Sequence, residues 1–478
     1  MEYICRVWGK QIKIIGWFLE MEKKKKSPRR LKFNTVQTVV IGFFGVILGG
    51  GILLSLPICN QKPIEFIDAL FTSVSSVCVT GLVTIVPAEQ FTLLGKIILL
   101  LLIQVGGLGV IACMSAFFLL LGKKINMKGR ITIQQAYGLD TLSGLVKFVI
   151  RILKGTFLVE GIGAVLFSLR FIPEFGFIKG VGYAIFHSVS AFCNAGIDIL
   201  GSTSFIQYSG SWLINFTTMF LIVMGGLGFP VWHDIAINIK KMTEIKKRPL
   251  KWLFTRLCLQ SKIVLTMTGL LILCGAVGFF LLEFNNPETM GDMNLLEKMT
   301  ASLFQSVTTR TAGFATVPQG DLRESSKLLG CMLMFIGGSP AGTAGGVKTT
   351  TIAMLLLTVL CVLKNKRDTE CFARKIDNNI VRSGITITMI TLIFLMSGIT
   401  ALTIFEPGID FLDLTYEAAS AMGTVGLTAD LTPILSRGSH VILMILMYVG
   451  RIGRLLWRLH YREEAIRFLS SENFRKKM

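Results

Sequence analysis

The sequence predicts an all-α polytopic membrane protein built from four parallel units, each a helix, a shorter re-entrant helix and a second helix, arranged with pseudo-fourfold symmetry about one axis. Three observations predict it. Of 478 residues, 52% are hydrophobic and only 16% are charged, whereas water-soluble domains carry about a quarter charged residues. The basic residues are clustered rather than spread. One glycine-centred pattern returns four times at nearly constant spacing.

Composition narrows the class further. Gly is plentiful, at 48 against 12 Pro, without a low-complexity tract, so collagen-like and disordered chains are excluded. The net charge of +20 would point to nucleic acid in a soluble protein. In a chain this apolar it points to loops held at the cytoplasmic face, with the lipid bilayer as the partner and no nucleic acid. Residues 1–35, 122–155, 236–262, 364–382 and 451–478 hold 39 of the 49 basic residues with 11 acids, a net of +28, and the remainder sums to −8. Lys and Arg are retained on the cytoplasmic side during insertion. Both termini and three linkers are therefore expected there, in the cytoplasmic (inner) membrane, and each block between linkers crosses an even number of times.

Residues 1–35 form a basic cytoplasmic N-terminus without a clean apolar segment for cleavage. Trp8, Ile12, Ile15, Trp17 and Phe18 among Arg6, Lys10 and Lys13 fit an amphipathic helix on the membrane surface. The first unit, 36–121, runs from Val36–Leu56 through Phe66–Val79 and Thr80-Gly81-Leu82 to Leu93–Leu121. Its outer runs suffice for a span of about 20 residues, and its middle run does not, so it dips in and returns. The second unit, 144–235, has Val181–Cys193 before Asn194-Ala195-Gly196. The third, 260–363, has Met299–Thr309 before Arg310-Thr311-Ala312-Gly313-Phe314, and the fourth, 380–453, has Phe411–Met422 before Gly423-Thr424-Val425-Gly426-Leu427. From Gly81 to Gly196, Gly313 and Gly426 the steps are 115, 117 and 113 residues, and a Ser-rich lead-in recurs (Ser73–Ser76, Ser188–Ser190, Ser302–Ser306, Ser420). Inverted repeats need an odd number of crossings, and two crossings each make these parallel.

Four such loops on one axis suit a monovalent cation. Backbone without helical bonding is tolerated at membrane depth only where protein or water covers it, and freed carbonyls can replace an ion's hydration shell. The expected filter is Val79, Thr80, Gly81, Asn194, Ala195, Gly196, Thr311, Ala312, Gly313, Thr424, Val425 and Gly426, around one ion pore, with potassium at backbone oxygens as the only metal. The alternative is that each Gly merely caps a helix. Ten cysteines lack a CxxC spacing and read as small buried hydrophobes. His187, His233, His440 and His460 form no cluster, so metal binding, a bound cofactor and enzymatic chemistry are not expected.

The stretches Leu70–Leu82 (LFTSVSSVCVTGL), Ile103–Gly109 (IQVGGLG), Ser190–Ile199 (SAFCNAGIDI), Thr308–Thr316 (TTRTAGFAT), Gly337–Thr350 (GGSPAGTAGGVKTT) and Thr424–Thr428 (TVGLT) resemble the Trk/Ktr/HKT superfamily of potassium transporters, closest to the membrane subunit of bacterial Ktr systems. The resemblance covers residues 36 to 453. It implies potassium uptake by a pore subunit, usually a homodimer with one pore per chain, docked on a cytoplasmic nucleotide-binding regulatory ring, with sodium as an activator. In the related plant branch, Ser at the first filter glycine accompanies sodium preference, and Gly81 is similar to the potassium pattern. A sodium-preferring or weakly selective pathway of the same fold is the alternative.

The second span of each unit carries Gly 24 to 29 residues after its filter glycine: Gly106-Gly107, Gly225-Gly226, Gly337-Gly338 and Gly450 before Arg451. These read as helix breaks, with close helix contact as the alternative. The third, Gly337, Gly338, Ser339, Pro340, Ala341, Gly342, Thr343, Ala344, Gly345 and Gly346, cannot be regular helix. The resemblance implies an intramembrane gate loop below the filter at 337–346. Gly342–Thr349 also looks like a Walker A loop, but Val347 stands where Gly is required and no strand precedes it. Lys348 reads as a cation of the gate. Arg451 lies where the other units have Gly, and a cation within a span faces a cavity or a partner. Directly below a cation filter it is expected either to compete with the ion or to hydrogen-bond the carbonyls between Gly337 and Gly346, in a gating role, with snorkelling to the surface as the alternative. Glu160, Asp198, Asp234 and Glu417 are candidate relay groups of a proton-coupled carrier, but three of them lie close to a filter or helix end, where bracing a loop is the preferred role. Past Gly453 the chain departs from the family. Arg454, Arg458 and Arg462 alternate with Leu455, Leu456, Leu459 and Ile466, so 454–478 is a basic amphipathic tail rather than a span. That departure leaves a non-functional copy as the second alternative.

Overall fold

The computed structural model describes residues 35–109, 144–244, 250–365, 369–372 and 374–453, together with 113, 129, 130, 133, 134 and 137. The expected surface helix of the N-terminus, the end of the first unit beyond 109 (Cys113 apart) and the amphipathic tail 454–478 lie outside the described residues.

The described chain is mainly helical, and among the described residues the one pair of strands is Glu370–Cys371 with Arg374–Lys375. Its helices fall into four sets. The first is α1 (Thr35–Ser55), α2 (Phe66–Cys78) and α3 (Leu93–Leu108). The second is α4 (Leu145–Phe175), α5 (Phe177–Cys193) and α6 (Trp212–Gly226), continued by α7 (Phe229–Glu244) and α8 (Leu250–Arg256). The third is α9 (Leu259–Glu283), α10 (Leu295–Thr308), α11 (Glu324–Phe335) and α12 (Thr349–Leu363). The fourth is α13 (Asn378–Phe405), α14 (Phe411–Gly423) and α15 (437–453).

Each set opens with a long apolar helix. α4, α9 and α13 have 31, 25 and 28 residues, long and apolar enough to cross a bilayer, yet only 22 to 28% of their apolar stretches is buried inside the protein. Phe157, Leu158, Val165 and Leu169 on α4, and Leu270, Leu273 and Leu281 on α9, are exposed. A contiguous apolar surface of that kind marks contact with lipid or protein rather than water. α1, at 21 residues, reaches about 31 Å at 1.5 Å per residue, and stops just before Pro57. The short helices α2, α5, α10 and α14 have 13, 17, 14 and 13 residues and are buried along most of their length.

Each short helix packs on the long helix before it, and α3, α6 and α11 pack on α5, α10 and α14 of the following set. The last set returns to the first. Tyr448 on α15 donates its hydroxyl to the Val40 carbonyl (3.1 Å), and the Arg437 guanidinium pairs with Asp68 (2.7 Å) and Glu65 (2.6 Å).

The recurring serines have a job in this packing. Ser73, Ser188 and Ser306 on the short helices donate hydroxyl bonds to the carbonyls of Ile47 (2.7 Å), Glu160 (2.6 Å) and Ile272 (2.8 Å) on the long helices. Three residues further along each long helix stands Gly50, Gly163 or Gly275, where an added Cβ would lie 2.3 to 2.5 Å from that serine's Oγ. A small residue admits the hydroxyl, and the hydroxyl fixes depth and rotation of the short helix. In the fourth set Ala418 takes the serine's place and Gly398 instead meets Leu446. Ser73→Ala is expected to cost about 1 kcal/mol, read as a lower midpoint for thermal loss of the monodisperse protein in detergent. An unchanged midpoint would show that the bond carries no stability.

Three of the four expected glycine breaks are not breaks. α3 runs through Gly106-Gly107, α6 through Gly225-Gly226 and α15 through Gly450. Added Cβ atoms at Gly106, Gly225 and Gly450 would lie 2.3, 1.9 and 2.2 Å from the carbonyl oxygens of Val77, Phe192 and Met422. These glycines let the helix backbone rest on the end of its own short helix. The departure from helix comes later, at Gly109 (φ 85°) and Gly228 (φ 89°). At Gly228 the chain turns by 97° between α6 and α7, so α7 does not extend the line of α6.

Candidate ion-binding site and the loop against it

The four short helices end alike. The residue two before each filter glycine is left-handed, Val79 (φ 57°), Asn194 (φ 60°), Thr311 (φ 68°) and Thr424 (φ 53°), and the glycines follow at φ 109°, 66°, 80° and 94°. For a β-branched residue such a backbone costs about 1–3 kcal/mol and persists only where its surroundings hold it. Here the helix end does so. The N–H groups of Thr80, Ala195 and Val425 each reach back 2.8 Å to the carbonyls of Ser75, Ser190 and Ser420, and Ala312 bonds Thr308 at 2.9 Å, which satisfies terminal carbonyls that otherwise lack partners. Hydroxyls lock the next residues. Ser75 and Ser420 accept the N–H of Gly81 and Gly426 (both 3.0 Å), while Ser190 and Thr308 donate to the carbonyls of Ile197 and Phe314 (both 2.6 Å).

Of the twelve residues expected to form the filter, Thr80, Gly81, Ala195, Gly196, Ala312, Gly313, Val425 and Gly426 approach one another through close main-chain distances, and they do so in cyclic order. An added Cβ at Gly81 would lie 2.6 Å from the Ala195 carbonyl oxygen. At Gly196 it would lie 2.5 Å from that of Ala312, at Gly313 2.5 Å from that of Val425, and at Gly426 2.1 Å from that of Thr80. Each glycine thus faces the main-chain oxygen of the next set, and the last faces the first. Only a residue without a side chain allows this approach. Val79, Thr80, Ala195, Thr311, Ala312, Thr424 and Val425 are fully buried around it.

Residues 337–346 pass directly against this ring. The Gly345 N–H donates to the Thr311 hydroxyl (3.1 Å), Thr343 donates its hydroxyl to the Asn194 amide oxygen (2.8 Å), and an added Cβ at Gly345 would strike the Thr424 hydroxyl. The loop closes on itself through Gly337 N–H to Val347 O (2.9 Å) and Gly338 N–H to Gly345 O (3.3 Å). Ser339 and Thr343 donate their N–H groups to the carbonyls of Gly226 (3.0 Å) and Gly225 (3.2 Å), and Ala341 (φ 57°) accepts from Phe229 N–H (3.1 Å). Lys348 caps α12 and places its ammonium on the Ala344 carbonyl (2.8 Å). Arg451 donates from Nη1 to the Thr343 carbonyl and from Nη2 to the Gly106 carbonyl (2.6 Å), so one guanidinium ties the loop to α3.

Sequence reasoning passed over the main-chain groups of Gly225, Gly226 and Phe229. Their role depends on no side chain, although Gly228 followed by Pro230 carries the signal of a helix stop and a new helix start. The carboxylates take separate places. Glu417 accepts the Ala429 N–H (3.1 Å) and the hydroxyls of Thr432 (2.9 Å) and Thr428, holding the segment after the fourth filter turn. Asp198 accepts the Leu200 N–H (3.2 Å), Glu160 accepts from the Gln104 amide (3.0 Å), and Asp234 lies on α7, where it accepts the Cys258 N–H (2.9 Å). Among the described residues no three His, Cys, Asp or Glu side chains group as metal ligands.

With this geometry in hand, the relatives are informative. Residues 9–462 match the TrkH family, described as cation transport protein. The Ktr system potassium uptake protein B of Bacillus subtilis (strain 168) is 36% identical over 95% of this chain and 99% of its own length. The potassium/sodium uptake protein NtpJ of Enterococcus hirae is 39% identical over 90% of this chain and 93% of its own. The fold is also that of the crystal structure of the potassium transporter TrkH from Vibrio parahaemolyticus, with a TM-score of 0.70 at 18% identity, covering 91% of this chain and 86% of the other.

Proposed function

Because the chain belongs to the TrkH family of cation transport proteins, we propose that it takes up potassium across the cytoplasmic membrane as the ion-translocating subunit of a Ktr-type system. The observation that carries this reading is the closed cycle of glycines and carbonyls, Gly81 to Ala195, Gly196 to Ala312, Gly313 to Val425 and Gly426 to Thr80. On this reading the four sets are parallel units with pseudo-fourfold symmetry around one ion pore, and α2, α5, α10 and α14 are re-entrant pore helices. Carbonyl oxygens on that cycle substitute for the hydration shell of a monovalent cation. The C-terminal ends of the four short helices bring their partial negative charge to the same place. The buried hydroxyls of Thr80 and Thr424, without a hydrogen-bond partner among the described residues, are further oxygen ligands.

The loop 337–346 is then the gate below the filter, held shut by Arg451 and steadied by Lys348. The basic linkers and both termini face the cytoplasm, where a nucleotide-binding regulatory ring docks on a homodimer and sodium acts as activator. The name of the Enterococcus hirae relative, potassium/sodium uptake protein, favours a second reading in which sodium also passes.

Both readings are tested by measuring uptake of potassium, rubidium and sodium in a host lacking its own potassium transport, with and without a cytosolic Ktr-type regulatory subunit. Growth at low potassium with rubidium uptake well above sodium uptake is the expected result. Equal rates for sodium would install the second reading, and no uptake with any partner would overturn both.

A further inference from the structure

We propose that the α6–α7 hinge carries the loop 337–346 as one body, so that α7 is the handle by which displacement at the cytoplasmic face moves the loop. This rests on the reading of that loop as the gate. The attachments of the loop differ in kind. To the filter and to α15 it is joined through side chains, those of Asn194, Thr311 and Arg451. To the hinge it is joined through main chain alone: Ser339 N–H to Gly226 O at 3.0 Å, Thr343 N–H to Gly225 O at 3.2 Å and Phe229 N–H to Ala341 O at 3.1 Å.

Those three bonds straddle the 97° turn. Two hold the end of α6 and the third holds the first residue of α7, so the hinge cannot open without dragging or releasing the loop. Gly228, at the corner with φ 89°, leaves no room between them, since an added Cβ would lie 2.6 Å from the Pro340 carbonyl oxygen. Trp232 anchors the corner from the α7 side by donating its indole N–H to the Met224 carbonyl (3.0 Å).

The far side of α7 has its own latch. Asp234 accepts the N–H of Cys258, ahead of α9, at 2.9 Å, and is itself fixed by the Asn238 amide (3.0 Å). α7 also packs on α8 and α9. One charged hydrogen bond, added to that packing, therefore helps to hold the resting angle of a helix whose first N–H grips the loop. Displacing α7 requires that bond to break, and the main-chain bonds at Ala341 and Gly226 transmit the movement.

The test uses the full chain in proteoliposomes, carrying Ala344→Cys as a reporter. Ala344 is buried against the hinge, so modification of the introduced thiol by a maleimide, quantified at that peptide, reads exposure of the loop. Asp234→Ala is expected to raise both the modification rate and rubidium uptake about tenfold, the population shift that follows from loss of one hydrogen bond to a charge. Asp234→Asn, whose amide oxygen still accepts from Cys258 N–H, is expected to move both less, and it serves in place of Asp234→Ala if that variant is not recovered folded. Deleting residues 340–344 in a separate chain tests the gate reading itself, because it removes the loop whatever position α7 takes, and raised uptake is the expected result. If the deletion raises uptake while both Asp234 variants leave modification and uptake at parental rates, the hinge proposal is wrong and the gate reading stands. If the deletion leaves uptake unchanged, the gate reading falls first and takes the proposal with it.

Discussion

Gly426→Ala is expected to lower potassium uptake by about a hundredfold or more, equivalent to about 2.7 kcal/mol on the barrier. Two costs add. The native φ of 94° is a conformation that L residues adopt only at about 1–2 kcal/mol. The new methyl would also lie 2.1 Å from the Thr80 carbonyl oxygen, so that oxygen must leave its place in the ring. The same substitution at Gly45, on α1 with nothing within 4 Å of its added Cβ, is the matched control and should leave uptake at the parental rate. Initial rubidium influx into proteoliposomes, compared at equal monodisperse protein, makes the measurement. Influx within threefold of the parent for Gly426→Ala would mean that the ring does not lie on the ion's path.

Arg451→Ala should act in the opposite direction. Its guanidinium donates to the Thr343 carbonyl in the loop and to the Gly106 carbonyl on α3. Hydrogen bonds to a charged group are each worth about 1.5–3 kcal/mol. Removing both frees the loop, and uptake in the absence of any regulatory subunit is expected to rise by about tenfold or more. Arg451→Lys should fall between, because an ammonium is a point donor and cannot span two carbonyls as the planar fork does. Unchanged influx and unchanged response to the regulator in Arg451→Ala would remove the residue from the gate.

How far these sites could be read from sequence differs from one feature to the next. The steps of 115, 117 and 113 residues between glycines were enough to expect four turns of one kind, because a period is visible without any contact being known. The run from Gly337 to Gly346 was legible as non-helical, since so many glycines in one stretch cannot sustain a helix. The glycines at 106, 225 and 450 read as breaks in the sequence and are not breaks in the fold. A glycine that interrupts a helix and one that admits a neighbouring backbone look identical in one sequence, and only the carbonyls of Val77, Phe192 and Met422 decide between them. Other determinants were invisible for a different reason. The Arg437–Asp68 pair joins residues 369 apart, and the bonds of Gly225, Gly226 and Phe229 to the loop are made by main-chain atoms that every residue possesses. The serine lead-ins were visible as a pattern, but their use as pins to the carbonyl three residues before a glycine became apparent only with the long helices in place.

The cyclic pairing of Gly426 with the Thr80 carbonyl also sets a timetable for biosynthesis. Those two positions are separated by 345 residues of chain, which a ribosome adding about 5–20 residues per second takes roughly 20–70 s to produce. Throughout that interval the residues of the first turn have been made, but the neighbour that meets the Thr80 carbonyl has not. A chain halted before the fourth set therefore lacks a contact at its beginning as well as at its end.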